Sequence, residues 1–281
     1  MTGDRPSTFG WLRDLPDPRD FAPDNPVVQS LYRGLKPVPA CKSKRVDWSE
    51  FFLAVRDQLC LNASSTHACA GLAEYFERRS SGVATEASRL FLYQSARRLS
   101  RGAGACEADL RTTLKALARF GLPPERLWPY HPERVHDEPE PFLYAYSRDY
   151  QSMIYVRLDG VGITGEVVLR NIRDHLAAGF PSAFGFSAFN SLSRDADIPC
   201  PTKFDAVKGG GAAVAVGYDD TRRIRSTKGA LRVRAPWGAD WGDEGYGWLP
   251  YAYVQERIAV DFWTLLRPDW LASGEFFLPY K

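Results

Sequence analysis

The sequence contains no long run of apolar residues. Nowhere in its 281 residues do about 18 apolar side chains follow one another, so we expect no membrane-spanning helix and no membrane partner. Residues 1–21 lack the apolar stretch and the cleavage site of a secretory signal. A cytoplasmic location is therefore the simplest expectation. The formal net charge is only +2, which argues against nucleic acid as a partner.

Cysteine and histidine are also scarce. The chain has five cysteines and four histidines, without a C-x-x-C pair and without a spacing typical of a metal site. An odd number of cysteines in a chain of this length does not favour a disulfide framework. We therefore expect free thiols, no bound metal and no cofactor. The cysteines are Cys41, Cys60, Cys69, Cys106 and Cys200.

The composition is that of a globular protein, with 44% hydrophobic and 25% charged residues. Residues 1–45 are rich in proline, aspartate and arginine and predict an extended arm, which we expect to pack along the outside. Residues 46–150 are predicted to form a helical half and residues 151–281 a β-rich half, which indicates one α+β domain. The patterns predict helices at 64–79, 84–100, 110–121 and 163–179, and strands at 181–189, 212–220, 229–237 and 261–268.

Several segments, taken in chain order, resemble the bacterial branch of the papain-like cysteine peptidases. They include GWLRDLPDPRDF, DQLCLNASSTHACAGLAEYF, GGGAAVAVGYDD and RAPWGADWGDEGYGWLPYAYV. The last of these contains W-G-x-x-W-G-x-x-G-Y and is the most specific. The resemblance implies a papain-like two-part fold, in which a helical half faces a β-barrel-like half across a cleft. A central helix would begin at Ser64, with its N-terminus facing the cleft.

The residues at the catalytic positions of that family differ in this chain. Family enzymes use a cysteine thiolate at a helix N-terminus, a histidine, an asparagine that orients the histidine, and a glutamine that helps to bind the oxyanion. The glutamine is present as Gln58, but Ser64 replaces the cysteine, Gly211 the histidine and Ala235 the asparagine. The resemblance then implies that no residue is catalytic by the papain mechanism. We expect the chain not to be a cysteine peptidase, and we favour a protein that is not an enzyme.

Ser64 itself allows more than one interpretation. We interpret it as a helix-start serine at the former cysteine position. A Ser64–His67 dyad is an alternative, because residues three apart lie on the same helical face. A relocated nucleophile at Cys60 or Cys69 is a further alternative, with buried structural cysteine as the default.

Other residues are candidates for binding in the cleft. Glu107 stands where the family has a glycine in its substrate-binding strip, and a charged side chain there would crowd the pocket. Trp237 and Trp241 are expected to be scaffold, with stacking on a ligand as the alternative. The full set of cleft candidates is Gln58, Ser64, His67, Glu107, Trp237 and Trp241.

Three functions of different classes follow from this resemblance. The first is a catalytically inactive pseudopeptidase that binds a peptide or protein partner in an accessory or regulatory role, for example in complex with an active enzyme. The second is a repurposed enzyme for non-proteolytic acyl transfer or amide formation in peptide natural-product biosynthesis. The third is a structural subunit. An open cleft that exposes Trp237 and Trp241 would favour the first, a convergent polar cluster the second, and a plugged cleft the third.

Overall fold

A computed structural model describes residues 9–38, 43–100, 108–147, 150 and 152–279. Helices dominate the first half of the chain and strands the second, as the sequence predicts. No helix in these ranges is both long enough and apolar enough to cross a membrane. The helices are α1 (Pro26–Tyr32), α2 (Ser64–Ser81), α3 (Arg89–Leu99), α4 (Leu110–Phe120), α5 (Pro141–Tyr146), α6 (Gly165–Ala177), α7 (Ala252–Gln255) and α8 (Pro268–Leu271).

The strands form one large sheet and one small one. They are β1 (Lys36–Pro37), β2 (Arg45–Asp47), β3 (Ile154–Arg157), β4 (Ser182–Phe189), β5 (Val207–Ile224), β6 (Thr227–Arg234), β7 (Tyr246–Pro250), β8 (Ala259–Leu266) and β9 (Phe277–Leu278). The large sheet has the order β3-β8-β4-β5-β6-β7, with β2 added along β5, and its neighbours are antiparallel. No pairing joins β3 to β7 in the described part of the chain, so the sheet is open rather than a closed barrel. β1 and β9 form a small parallel pair.

Helix α2 lies at the centre of the molecule because many of its side chains are apolar and small. All its residues from Ser64 to Phe76 are buried. Its small side chains let the sheet come close, since a Cβ added at Gly71 would lie 2.9 Å from Nη1 of Arg234 on β6. The helix ends at Gly82, whose φ of +77° suits the left-handed position that follows a helix. These local features determine where the N-terminus of α2 meets the sheet.

The four helices predicted from capping signals are confirmed. α4 begins after Asp109, whose carboxylate accepts a hydrogen bond from the Thr112 N–H (2.6 Å), and it is terminated by Gly121 with φ +74°. α6 begins after Thr164, which caps it in the same way. α3 starts later than predicted, because Ser88 is the residue that caps its first turn.

The prediction that residues 1–45 form only an extended arm is wrong. Helix α1 forms because the Asn25 side chain caps its first turn and Pro26 takes the first helical position, where no backbone donor is needed. At the other end of α1, the Tyr32 hydroxyl lies 3.2 Å from Nε2 of His175 on α6. Burial lowers the pKa of His175 to about 4, so this ring is uncharged at neutral pH.

A buried ion pair joins α2 to the start of α3. Arg89 Nη2 donates to the Glu74 carboxylate (2.9 Å), and both side chains are only 2% exposed. The other Glu74 oxygen accepts from the Ala87 N–H (2.8 Å). Because the pair is withdrawn from water, either charge alone would be costly in this place.

We therefore expect Glu74→Gln to lower the free energy of unfolding by about 3 kcal/mol, measured by urea denaturation. It leaves the buried Arg89 charge with only the more distant Glu86 carboxylate, at 3.9 Å. Glu138→Gln is the control. Its partner Arg98 and Glu138 are 40% and 78% exposed, so the loss there is expected to stay below about 1 kcal/mol. Equal losses in the two variants would contradict the role given to burial.

Candidate functional site

The N-terminus of α2 meets β5 at Ser64. Ser64 is fully buried, and its Oγ accepts a hydrogen bond from the Ala212 N–H (3.0 Å). Ala212 follows Gly211, so the hydroxyl lies beside the position at which the resemblance places a histidine. The N-cap residue, Ala63, makes no side-chain capping bond. The first backbone N–H groups of α2 therefore need acceptors from elsewhere.

Gln58 and Ala235 lie close to each other. The Gln58 N–H donates to the Pro236 carbonyl (2.9 Å), and Arg234, at the end of β6, pairs with Val214 of β5. Gln58 is fully buried. The fold thus places Gln58 beside Ala235 and Ser64 beside Gly211, and strand β5 pairs with the strand that precedes Ala235.

His67 does not serve as a base for Ser64 in this geometry. Its Nδ1 lies 3.0 Å from the Ala63 carbonyl oxygen, one turn back, and its ring packs edge-on against Tyr130 with centroids 5.0 Å apart. Burial lowers the pKa of His67 to about 3, so the ring is uncharged. The Ser64–His67 dyad considered from the sequence is not formed, because Nδ1 of His67 faces the Ala63 carbonyl and its Nε2 has no hydrogen-bond partner in the described structure.

The two cysteines considered as relocated nucleophiles differ in exposure. Cys69 is buried within α2, and burial raises the pKa of its thiol, which keeps it protonated and unreactive. Cys60 is exposed in the turn before α2. Glu107, expected to crowd the pocket, lies outside the described residues, as does its neighbour Cys106.

Trp237 and Trp241 are buried rather than exposed to an open cleft. They are 8% and 2% exposed, and their ring centroids lie 4.8 Å apart at an interplanar angle of 75°. Trp241 donates its indole N–H to the Ser193 carbonyl (2.9 Å), and Trp237 packs against Phe186. This arrangement fits the scaffold role expected of both residues and does not favour stacking on a ligand.

The groove between α2 and β5 holds three residues from the N-terminal part of the chain, Phe9, Gly10 and Trp11, here called the groove segment. On the α2 side, the Ser64 N–H donates to the Phe9 carbonyl (3.3 Å), and Ser65 Oγ donates to the Gly10 carbonyl (3.1 Å). The uncapped N-terminus of α2 therefore finds an acceptor in a distant part of the chain.

On the opposite wall, the N–H groups of Gly10 and Trp11 both donate to the Gly210 carbonyl of β5, at 3.1 and 3.0 Å. The groove segment thus bridges the two walls through its backbone, and the expectation that the arm packs along the outside is wrong for these residues. The arm has no apolar periodicity, so pattern reasoning missed this contact. The signal that could have indicated this contact is the Gly-Gly-Gly run at 209–211. Its lack of side chains leaves room beside β5 for the Phe-Gly-Trp segment.

A second attachment of the arm lies three residues beyond Trp11, at Asp14. The Asp14 N–H donates to the Asp261 carboxylate (2.8 Å), and Asp14 Oδ2 accepts from the Trp263 indole N–H (2.7 Å). At the start of α4, the Arg111 N–H donates to Asp14 Oδ1 (3.2 Å). Asp14 is 4% exposed, so a buried carboxyl group holds the arm to the sheet and to α4.

Asp14 is surrounded by other carboxyl groups. Burial, followed by the Asp261 carboxylate and by Asp109, raises the pKa of Asp14 to about 8. Burial also raises the pKa of Asp261, although the Asp14 N–H and the Arg157 guanidinium act in the opposite direction. In the described part of the chain, no group of three or more His, Cys, Asp or Glu side chains is arranged to hold a metal ion.

Comparisons with known proteins show what this chain is similar to. No protein-family model matches the chain. It is 28% identical over 273 residues to an uncharacterized peptidase C1-like protein of Acanthamoeba polyphaga mimivirus, covering 92% of this chain and 86% of that protein. Among solved structures it is similar to xylellain, a cysteine protease from Xylella fastidiosa, with a TM-score of 0.74 and 29% identity over 95% of this chain and 99% of that one.

A procathepsin B from Trypanosoma congolense has a TM-score of 0.60 to this chain at 14% identity, covering 93% of this chain and 86% of that one, which concerns the fold alone. Together the comparisons show the papain-like α+β fold and support the papain-like cysteine peptidase family. They contradict the expectation that the chain is not a cysteine peptidase and not an enzyme, which was drawn from Ser64, Gly211 and Ala235. Relatives named as a cysteine protease and a peptidase point to an enzyme.

The raised pKa of Asp14 predicts a pH dependence. Because the folded pKa lies above the ordinary value of about 4, its contribution to stability is full below about pH 4 and is lost as the pH rises through about 8. We expect the free energy of unfolding, measured by urea denaturation, to fall between about pH 4 and about pH 8. Asp14→Asn, which keeps an acceptor oxygen for Trp263, should remove most of that fall.

Asp17→Asn is the matched control, because Asp17 lies on the same arm and the exposed Arg19 beside it lowers its pKa. Its profile should keep the fall seen in the unsubstituted chain. An unchanged profile in Asp14→Asn, or an equally flat one in Asp17→Asn, would show that Asp14 is not the titrating group.

Proposed function

We propose that this protein, a relative of the papain-like cysteine peptidases, binds an extended peptide in the groove between α2 and β5. The observation that carries the proposal is the groove segment, which is hydrogen-bonded to both walls through its backbone. Phe9–Trp11 then acts as an intramolecular ligand and marks the path that a peptide partner would follow. The filled groove and the buried Trp237 and Trp241 match the plugged cleft expected of a structural subunit. The occupant, however, is a distant chain segment held through its backbone, and this favours peptide binding.

Groups that recognise main-chain atoms make these contacts. The Ser64 N–H, the Ser65 hydroxyl and the Gly210 carbonyl bind carbonyl and amide groups, which every peptide carries. The Ser64 N–H belongs to the first turn of α2, where the helix dipole adds a partial positive charge that favours a carbonyl oxygen. The groove is therefore suited to peptides as a class.

A partner must replace the groove segment before it can bind. A tethered ligand has an effective concentration on the order of 1 mM, so a free peptide competes at a disadvantage while the segment is seated. We propose a peptide or protein partner that presents an extended segment, and a regulatory step in which release of Phe9–Trp11 opens the site.

Gly10→Ala tests this proposal, because it should empty the groove. A Cβ on residue 10 would lie 2.1 Å from the Asn62 carbonyl carbon, and Gly10 has φ +112°, so the segment cannot keep its place. We expect a fluorescent peptide with the sequence of residues 8–15 to bind the Gly10→Ala chain more than about tenfold more tightly than the unsubstituted chain, measured by anisotropy.

Gly34→Ala is the control for this experiment. It makes the same substitution on the same arm, but nothing lies within 4 Å of the added Cβ, so the groove segment stays seated. The peptide should bind this variant as weakly as it binds the unsubstituted chain. Peptide binding that is absent from all three chains, or equal in all three, would refute the proposal.

A second candidate function is an enzyme that acts on a peptide or acyl carbonyl, and one contact favours it. The Phe9 carbonyl oxygen accepts from the Ser64 N–H, where a backbone donor can stabilise negative charge that develops on a reacting carbonyl. The similarity to xylellain supports an enzyme as well. The Ser64 hydroxyl then stands in place of the thiol of the cysteine peptidases, for acyl transfer or amide formation. Its oxygen would form an ester with the acyl carbon as the bond to the leaving group breaks, and the leaving group would take the hydroxyl proton.

Ser64→Ala tests this candidate, because it removes the hydroxyl and keeps the backbone donor. We expect the Gly10→Ala chain to cleave an activated ester of the groove-segment peptide faster than buffer alone does. Release of the product is measured by mass spectrometry. Ser64→Ala should lower that release more than about 100-fold. Cys60→Ser, in the exposed turn, should leave it unchanged. Release at the buffer rate, or equal release without the hydroxyl, would exclude this candidate.

A further inference from the structure

We propose that the groove selects peptides in which one glycine stands between two aromatic residues, as in Phe-Gly-Trp. This inference rests on the proposed peptide binding and names the class of peptide that the groove takes. The evidence for this selectivity is a set of glycines on both sides of the contact between the groove segment and the sheet. One lies in the groove segment and the others line the sheet, and at each of them a neighbouring atom lies closer than a side chain would allow.

The central position admits only glycine. A Cβ on Gly10 would lie 2.1 Å from the carbonyl carbon of Asn62 and 2.2 Å from its carbonyl oxygen. These are backbone atoms directly before the buried helix α2, so they cannot move aside as the end of a flexible side chain does. The φ of +112° also disfavours any residue with a Cβ. Even alanine is therefore excluded at this position.

The position after the glycine fits a large aromatic ring. A Cβ on Gly185 of β4 would lie 1.9 Å from Cε2 of Trp11, and one on Gly210 would lie 2.6 Å from the Trp11 carbonyl oxygen. The indole therefore lies directly against the backbone of the sheet. Its N–H has no hydrogen-bond partner in the described structure, so shape and apolar contact recognise the ring.

The aromatic ring before the glycine, that of Phe9, also packs over a glycine of the sheet, but it is less buried than the ring of Trp11. A Cβ on Gly209 would lie 2.6 Å from Cδ2 of Phe9. Phe9 is only half-buried, whereas Trp11 is 8% exposed. We therefore expect the aromatic residue after the glycine to contribute more to selectivity than the one before it.

Three consecutive glycines in a strand are costly, because glycine loses more conformational freedom than any other residue and has no side chain to pack. Even so, Gly209 and Gly210 pair in register with Ala188 and Ser187 of β4, so the strand continues through them. Glycine inside a strand commonly marks a close approach of another backbone or a ligand. Here the groove segment makes that approach, and a peptide that replaces it must have the same shape.

The test uses the full-length Gly10→Ala chain, whose own segment cannot fill the groove, and three fluorescent peptides. The parent peptide is Thr-Phe-Gly-Trp-Leu-Arg-Asp-Leu, with the sequence of residues 8–15. The second peptide has alanine in place of glycine, and the third has alanine in place of tryptophan. We expect both altered peptides to bind more than about tenfold more weakly than the parent in anisotropy titrations. Changes in the peptide leave the fold of the protein untouched.

A matched pair of substitutions tests the sheet side in the same Gly10→Ala chain. Gly185→Ala is expected to weaken binding of the parent peptide more than about tenfold, because its methyl group takes the space of the indole. Gly160→Ala, where nothing lies within 4 Å of the added Cβ, should leave the Kd unchanged. If Gly185→Ala fails to fold, Gly209→Ala takes its place and is also expected to weaken binding.

The outcomes separate this inference from the proposed function. Equal binding of the three peptides would overturn the selectivity and leave peptide binding in the groove standing. Binding of the parent peptide that neither Gly185→Ala nor Gly209→Ala weakens would place the peptide elsewhere and overturn this inference. No binding of the parent peptide would overturn both.

Discussion

The burial of the N-terminus of α2 is the constraint on which the groove depends. Small residues in the first turns of α2 let the strands come close to it, and every residue from Ser64 to Phe76 is withdrawn from water. A helix buried at its N-terminus must find protein acceptors for backbone N–H groups that water cannot reach. Ala63 supplies no side-chain acceptor, and the Phe9 carbonyl takes that role for Ser64. The groove segment therefore satisfies the Ser64 N–H at the start of α2, and a peptide that replaces it must supply a carbonyl group there.

The same segment bears on Gly211, the position at which the resemblance places a histidine. A Cβ at Gly211 would already touch Phe9 and Phe186, at 3.5 and 3.4 Å, so the larger ring of a histidine at that position would have to displace one of them. The absence of a side chain at Gly211 thus makes room for the groove segment. The wider fold remains similar to xylellain over 95% of the chain, although only 29% of the residues are identical.

Sequence reasoning succeeded where local signals or the family resemblance decide the structure. Helix α4 ends at Gly121, close to the predicted range 110–121, and Ser64 meets β5 beside Gly211 as the resemblance implies. It failed for the arm, because the partners of the arm are distant in sequence: Asp14 and Asp261 lie 247 positions apart. The expectation that the chain is not an enzyme was also wrong, since it weighed three positions against a similarity that runs through almost the whole chain.

The arm is held at two points that differ in chemistry, and this decides how the groove can open. Trp11 and Asp14 are buried, whereas Leu12 and Arg13 between them are exposed, so the two attachments are separate. The first depends on shape and backbone hydrogen bonds, and the second on a carboxyl group that is most stable when protonated. Loss of the Asp14 attachment alone lengthens the tether of the groove segment and lowers its effective concentration. Release of Asp14 therefore favours a competing peptide without removing any contact that the peptide itself needs.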